Sequence, residues 1–335
     1  MTVFHIVQDP ALLPSLKKAF SGDDFLLWDD PLYEGPVPSV SLDQLANIRG
    51  KYLAQSGRGP YDNALAAFRY RNQSLRKFRK YNKVILWFDH NLSGQLQLTQ
   101  VLNWFSQQTM GDTELRLVCT DRFPGVFKYQ GLYMLKPKQL QLLGIHPAPV
   151  MQHQMDAASL FWAIFTSENP KDLQSLLATS FETLPYLKDA LLRLLDEYPG
   201  SINGLSKTQQ NIIMATNMGY HRVDTIYEIL KRKEDRHFLS IASFLHAANQ
   251  LSSAHEPAIT AKKGKVLYEG RQARIEQKLS RMSLFITPVG KNVMFQHEDW
   301  IEHNGIDRWV GGVHISEGNI WRRSTSRRQL NRTYA

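Results

Sequence analysis

The sequence predicts an α/β fold at the N-terminus, and three observations support this prediction. Four short apolar runs lie within residues 1–121, segments with helical periodicity lie between them, and each run ends at or next to an aspartate. Short apolar runs are typical of buried parallel strands, and strands that alternate with helices form a mostly parallel sheet. The runs are 4–9, 25–30, 84–90 and 115–121. We therefore expect an open, mostly parallel, Rossmann-like sheet.

The other elements of this region follow in chain order. A helix is predicted over 12–20, and the second run leads into the passage 31–38, whose three prolines and one glycine exclude regular structure. This passage is either the lining of a pocket or a crossover loop. Apolar residues at helical spacing predict further helices over 41–54, 64–80 and 92–108.

The second half of the chain shows a different pattern. A chain of 335 residues is longer than a typical single core, so more than one domain is expected. Beyond the proline-containing stretch 144–149 the pattern becomes helical, and residues 206–209 fit a helix-capping box. The predicted helices cover 151–166, 170–178, 184–198, 207–218, 223–235 and 238–251.

The last hundred residues predict a small α+β module. The run 284–290 followed by 291–295 is similar to the strand, turn and short helix that close winged-helix domains. Two strands are predicted over 310–315 and 319–322, around a turn at 316–318. The predicted organisation is an α/β domain over 1–145, a helical domain over 150–255, a winged-helix-like module over 256–321 and a basic, disordered tail over 322–335.

Composition restricts the class of protein. With 43% hydrophobic and 21% charged residues, the chain belongs with ordinary globular proteins. Its one cysteine, Cys119, excludes an intrachain disulfide and a cysteine metal site. No basic leader precedes the first strand, and no run approaches the ~18 apolar residues of a membrane span. We expect a cytoplasmic protein with no membrane association; the sequence leaves the oligomeric state open.

The net charge of +9 is concentrated in two stretches. Residues 58–83 contain eight basic side chains and one acid, and residues 322–335 contain five arginines and no acid. Apolar residues at helical spacing within the first stretch favour an amphipathic helix with a solvated basic face. The alternative is a surface for a phosphate backbone. Its nucleic-acid contacts would be Arg69, Arg71, Arg76, Lys77, Arg79 and Lys80.

The candidate site lies at the strand ends. Carboxyl ends of parallel strands share one edge, which is where open α/β sheets bind ligands. Asp89 and His90 together suit proton transfer or metal binding, provided that the strand has already ended. Asp9 precedes Pro10 and equally fits a helix cap. The predicted catalytic residues are Asp30, Asp89 and His90, and the predicted ligand-binding residues are Asp9, Glu34, Gly35 and Gln95.

Several segments resemble the bacterial family catalogued as domain of unknown function 1835. They are WDDPLYEGPVP at 28–38, LWFDHNLSGQLQL at 86–98, FPG at 123–125, LPYLKDALLR at 184–193, NGLS at 203–206 and GIDRWVGGVH at 305–314. The resemblance covers nearly the whole chain, and the family brings no established activity with it. Its pattern of polar positions is matched here by Asp30, Glu34, Gly35, Asp89, His90 and Gln95.

One departure from the family pattern concerns the first loop. Family members tend to follow the first strand with a Gly-Asp-Ser turn, whereas this chain has Gln8, Asp9 and Pro10. The change removes flexible backbone donors of the kind that cradle a phosphate.

Three functions remain as hypotheses. The first is a small-molecule or nucleotide enzyme, such as a hydrolase or transferase, in which His90 is the general acid or base. Asp89, Asp30 or Asp9 would orient it or hold a divalent ion. The sequence does not otherwise identify a cofactor. The second is a DNA-binding regulator, ranked lower because the helix expected to read bases, 238–251, contains no lysine or arginine. The third is a protein-interaction module.

Overall fold

The first structural feature of the chain is a five-stranded sheet. In the computed structural model, which describes residues 2–262, 279, 281–324 and 329–333, the strand order is β2-β1-β3-β4-β5. The first four strands are parallel, and β5 runs antiparallel to β4. The predicted α/β class with a mostly parallel sheet is confirmed. The strands are β1 (Val3–Val7), β2 (Asp24–Leu27), β3 (Lys83–Trp87), β4 (Glu114–Val118) and β5 (Ala148–Pro149).

Both faces of this sheet are buried. Along β3, Ile85 and Trp87 belong to the apolar cluster that also contains side chains of α1 (Leu13–Ala19) and α5 (Pro137–Ile145), whereas Val84 and Leu86 belong to the cluster on the other face. This alternation follows from the two-residue period of a strand. Each fully buried side chain of this size contributes about 1.5–3 kcal/mol.

Two helices of the N-terminal half begin at residues whose side chains cap them. Ser41 and Gln44 form a capping box at α2 (Leu42–Gln55), and the Asn91 side chain accepts from the backbone N–H of Gly94 at α4 (Leu92–Ser106). The prediction of a single helix over 64–80 was wrong. Helix α3 (Tyr61–Leu75) ends earlier, and a separate 3₁₀ turn buries Phe78 against Phe105 before the chain enters β3.

A helical region follows the sheet and shares its core. Helix α4 is buried around nearly its whole circumference, because it also packs against the helices α6 (Gln152–Phe165) and α8 (Leu187–Leu195). One apolar cluster therefore continues across the predicted boundary at 144–149. The capping box predicted at 206–209 is confirmed. The helices are α6 (Gln152–Phe165), α7 (Pro170–Ser175), α8 (Leu187–Leu195), α9 (Lys207–Asn217), α10 (Val223–Lys233) and α11 (Ile241–Ser252).

Of the helices that the described residues form, none combines enough length with enough apolar character to cross a bilayer.

The C-terminal part contains antiparallel strand pairs and two short helices. Strand β7 is followed by the helix Pro288–Met294, in the order that the sequence predicts for 284–295. The winged-helix assignment stays a prediction, and residues 263–278 and 280 of the predicted module lie outside the described residues. The pairs are β6 (Ile259–Lys262) with β7 (Ser283–Ile286), β8 (Asp307–Val310) with β9 (Val313–Ser316), and β10 (Ile320–Ser324) with β11 (Gln329–Thr333).

The predicted turn at 316–318 is present: the N–H of Asn319 donates to the carbonyl of Ser316, and these two residues form an antiparallel bridge between the end of β9 and the start of β10. The strand predicted over 310–315 is divided, because the chain also turns at Gly311 and Gly312, where Gly311 takes the positive φ of +60° that a tight turn needs. The prediction for the tail was wrong. The tail over 322–335 was predicted to be disordered, but its described residues pair in β10 and β11, and Leu330 is buried. Residues 325–328 and 334–335 of this tail lie outside the described residues.

Candidate functional site

The sheet edge predicted to hold the site lies at the carboxyl ends of β1 and β3. The order β2-β1-β3 means that the chain adds strands on opposite sides of β1, which places the topological switch point between β1 and β3. Asp9 follows β1, and Asp89 and His90 follow β3, which ends at Trp87. The strand has therefore ended, as the prediction required.

The carboxylate of Asp89 is enclosed by the chain's own backbone. Its Oδ1 accepts a hydrogen bond from the backbone N–H of Leu132 at 2.8 Å, and the residue is 2% exposed. Gly131 lies so close that a Cβ there would be 2.9 Å from Oδ2. Burial raises the pKa of Asp89 to about 7; the Leu132 N–H opposes this shift and Asp9 adds to it. A residue with this pKa is protonated in part at neutral pH.

The imidazole of His90 lies in a different environment. It stacks on Tyr129 with the ring centroids 5.8 Å apart and meets the ring of Tyr186 edge-on. Burial, followed by repulsion from Arg236, lowers the pKa of His90 to about 4, so the ring is neutral near pH 7. Within the described part of the chain, no hydrogen bond or ion pair joins His90 to Asp89. The predicted acid–imidazole pair is not formed, because the two side chains diverge after the strand ends.

Asp30 is the second predicted catalytic residue whose surroundings differ from the expectation. Its carboxylate forms a fully buried ion pair with Arg49, with Nη2 and Oδ1 2.7 Å apart. The same guanidinium donates to the backbone carbonyls of Pro31 and Glu34, at 3.1 Å and 2.6 Å. Asp30 therefore fixes the loop 31–38 through Arg49 and does not share a site with Asp89 and His90.

Gln95 and Asp9 hold local backbone structure. The Gln95 amide donates to the carbonyl oxygen of Asp89 at 2.9 Å and contacts the thiol of Cys119 at 3.5 Å. Asp9 Oδ1 accepts from the backbone N–H of Ala11 at 2.8 Å. Asp9 therefore closes a turn before α1 and is not its N-cap, because the N-cap position is Leu12, where no side chain caps the helix.

Glu34 belongs to a buried polar cluster that joins the loop 31–38 to α11. Its Oε1 accepts from the Ser243 hydroxyl at 2.8 Å and forms an ion pair with Arg58. The hydroxyls of Tyr33 and Ser243 lie 2.8 Å apart. Burial opposes ionisation of Glu34, but Arg58 and His246 outweigh it and lower the pKa of this carboxyl. Glu34 is therefore a stable carboxylate.

Gly35 allows this loop to approach α2. Its φ is +73°, and a Cβ at this position would lie 2.4 Å from the ring of Tyr52. Another side chain would meet both strain and a collision, so the loop geometry requires glycine here.

A cavity of about 440 Å³ opens beside this cluster, and we call it the Glu34 cavity. It lies between the loop 31–38, α2, α11 and β8, and its volume is in the range of small-molecule sites. Burial lowers the pKa of His246 in its wall, although Glu34 opposes the shift, so this imidazole is neutral. The lining residues that matter for binding are Glu34, Tyr52, Ser243, His246, Arg308 and Trp309.

A buried ionic network supports this cavity, and sequence reasoning missed it. Glu197 binds Arg193 at 2.7 Å and Arg308 at 2.9 Å, and Arg193 also binds Glu234 at 2.7 Å. Burial opposes ionisation of Glu197, but Arg193 and Arg308 lower its pKa to about 2. Sequence reasoning missed the network because no local pattern links residues this far apart. The only sequence signal was that Arg193 and Arg308 lie at or within segments of the family resemblance.

Of the six predicted nucleic-acid residues, five are exposed and one is buried. Arg71 is buried, with its guanidinium 4.0 Å from the ring centre of Trp28, and burial lowers its pKa to about 10. Including it among phosphate contacts was wrong, because it packs into the core. Arg76 binds Asp43 at 2.7 Å, and Arg79 donates to the carbonyl of Thr109. The residues that remain exposed are Arg69, Arg76, Lys77, Arg79 and Lys80.

The divalent ion that the sequence permitted gains no support. Across residues 2–262, 279, 281–324 and 329–333, no group of three or more His, Cys, Asp or Glu side chains is arranged to hold a metal ion.

Comparisons with known proteins identify no relative. No protein-family model matches the chain, and no curated protein shows significant sequence similarity to it. The resemblance to the family catalogued as domain of unknown function 1835 therefore stays a prediction.

Proposed function

We propose that the protein binds a small polar molecule with a planar ring, such as a nucleobase or nucleoside, in the Glu34 cavity. The observation that carries this proposal is the buried cluster of Glu34, Ser243 and His246 beside a cavity of about 440 Å³. Small-molecule sites combine apolar and aromatic walls with a few convergent polar groups, and this cavity has both.

The polar wall is suited to a ligand with N–H donors. The hydrogen bonds that Ser243 and Arg58 donate to Glu34 reach Oε1, which leaves Oε2 for a ligand. The neutral ring of His246 lies on the same wall. A carboxylate and an imidazole together recognise the amino and ring N–H groups of a heterocycle, and charge-assisted bonds of this kind are strong.

The aromatic lining and the charge balance narrow the ligand further. Tyr52 and Trp309 line the cavity. His314 stacks on one face of Trp309 and Arg49 lies over the Tyr52 ring, so a ligand could stack only on the other face of each ring, which would add about 0.5–1.5 kcal/mol beyond area burial. Glu34 is neutralised by Arg58, and Arg308 is neutralised by Glu197. Because few cations are left to face a ligand, a base or nucleoside fits this wall better than a polyphosphate.

Catalysis in this cavity would depend on His246. Its ring is neutral, and the Gln250 amide bonds its Nε2 at 3.2 Å, so proton transfer would have to use the other ring nitrogen or displace this amide; Glu34 is held by Arg58 and Ser243. The hydrolase and transferase classes stay predictions. A DNA-reading role gains no support from α11, because Ser243, Phe244 and Leu245 are buried.

The test is calorimetric titration of the full chain with nucleobases, nucleosides and nucleotides. Ala247→Leu places a larger side chain into the cavity and is expected to abolish binding. Ala67→Leu makes the same change on the exposed face of α3 and is the matched control. Equal affinity in both variants, or no binding by any compound of the panel, would contradict the proposal.

A further inference from the structure

A second cavity, of about 340 Å³, lies where the end of β3 meets α8 and the segment after α10. We call it the His90 cavity. The two cavities have no lining residue in common. Arg193 lines the His90 cavity, and its ion-pair partner Glu197 lines the Glu34 cavity, so this buried pair stands between them.

Two buried polar atoms at the His90 cavity are left without partners. Nδ1 of His90 and Nη1 of Arg236 make no hydrogen bond to any residue that the structure describes. Both residues line the cavity, and His90 is 2% exposed. Buried polar atoms are nearly always hydrogen-bonded, so two orphaned atoms on residues that line one cavity call for a bound molecule, a ligand or water, that supplies the bonds.

The two atoms need hydrogen-bond partners of opposite kinds. A guanidinium nitrogen only donates, so Nη1 of Arg236 needs an acceptor. The backbone of Thr120 hydrogen-bonds the His90 ring, and Nδ1 is the nitrogen without a partner. In a neutral ring whose other nitrogen carries the proton, Nδ1 is an acceptor and needs a donor. The ligand must therefore carry an acceptor and a donor close together.

The charges around the cavity select among such ligands. The lining contains four basic and four acidic side chains, and most are paired: Arg193 with Glu234, Arg236 with Asp189, and Lys207 with Asp196. A polyanion gains little from a balanced lining. Two lining residues, Lys233 and Asp235, form no ion pair with any described residue. Lys233 bonds the sulfur of Met214, and Asp235 provides a negative charge for a cation.

We propose that the His90 cavity binds a free α-amino acid. The carboxylate accepts from Nη1 of Arg236, the ammonium group donates to Nδ1 of His90, and Asp235 balances the ammonium charge. The side chain of the amino acid occupies the remaining space beside Leu192 and Ala190. This site is separate from the one in the proposed function, and neither proposal depends on the other.

The first test compares amino acids with analogues that lack one charged group. The full chain is titrated calorimetrically with the common L-amino acids, their amides and the matching des-amino acids. We expect a subset of amino acids to bind, and both kinds of analogue to bind at least about tenfold more weakly, since each loses one charge-assisted bond. Equal binding of an amide and its amino acid would overturn the proposal, as would no heat from any amino acid. Binding of inorganic phosphate that competes with the amino acid would show a general anion site and would also overturn it.

The second test uses variants with a matched control. Arg236→Gln is expected to weaken amino acid binding at least about tenfold. Arg232→Gln, an exposed arginine on α10 outside the cavity lining, should bind as the wild type does. Asp235→Asn provides a milder change at an exposed position should Arg236→Gln fail to fold, and it should also weaken binding. Unchanged affinity in a folded Arg236→Gln protein, or in Asp235→Asn where Arg236→Gln does not fold, would refute the proposed site. Nucleoside binding at the Glu34 cavity should be unaffected in these variants, which separates the two proposals.

Discussion

The two predicted catalytic carboxylates and the Glu34 cavity differ in what fills the space around them. At the strand ends, Asp89 is covered by the backbone of Gly131 and Leu132, and the carboxylate of Asp30 is paired with Arg49, so the space left at this edge lies on the side of His90. At the Glu34 cavity, the loop 31–38 meets α11 without filling the space between them. A sheet edge is thus only a candidate for a site. The loops that follow the strands decide whether room is left for a ligand.

The largest expected effect tests the ionic wall of the cavity. Arg193→Met leaves Glu197 and Glu234 without their shared cation, so we expect a loss of about 3–5 kcal/mol of unfolding free energy in urea denaturation. Lys207→Met removes an exposed partner of Asp196 and should cost less than about 1 kcal/mol. Similar losses in both variants would show that the cavity wall does not depend on this network.

The next effect concerns the enclosed carboxyl at the strand end. The pKa of Asp89 rises from 3.8 to about 7 on folding, so the folded state binds the proton more tightly and stability falls as pH rises through this window. Asp89→Asn keeps an acceptor for the Leu132 N–H and removes the charge. It should stabilise the protein at pH 8 by at most ~4 kcal/mol, and much less at pH 4. Urea denaturation at both pH values measures this difference. Asp62→Asn, at an exposed position of α3, is the control. An equal pH profile for the wild type and Asp89→Asn would contradict burial of the charge.

A smaller effect tests the loop that forms the cavity. Gly35→Ala adds backbone strain at φ +73° and a collision with Tyr52, for an expected loss of about 2–3 kcal/mol. Gly125→Ala has a similar φ of +79° with open space around it, so it isolates the strain. Thermal unfolding should show a clearly larger decrease for Gly35→Ala. If the two decreases are equal, contact with Tyr52 does not shape the loop.

The smallest effect tests the alternatives for Asp9. Asp9→Ala removes the acceptor for the Ala11 N–H and should cost about 1 kcal/mol, whereas Asp9→Asn keeps it and should cost less than half of that. Chemical denaturation of both variants distinguishes them. A loss of ligand binding in Asp9→Asn with unchanged stability would return Asp9 to a binding role.

Local pattern predicted the fold better than the site. The four parallel strands and the helix after β3 follow from periodicity, because each depends on residues close in sequence. The early end of α3 and the pairing of β10 with β11 depend on tertiary contacts, so periodicity missed them. The site is built from pairs such as Asp30 with Arg49 and Glu34 with Ser243. No local rule links residues 19 or 209 positions apart.

Arg193 gives the two cavities a thermodynamic connection. One guanidinium bonds Glu197 at the Glu34 cavity and Glu234 at the His90 cavity. If both proposed ligands bind, a ligand that displaces either carboxylate would change how the guanidinium is shared and so would alter the affinity at the other cavity. Such an effect would be reciprocal: whatever factor the first ligand imposes on the second, the second would impose on the first.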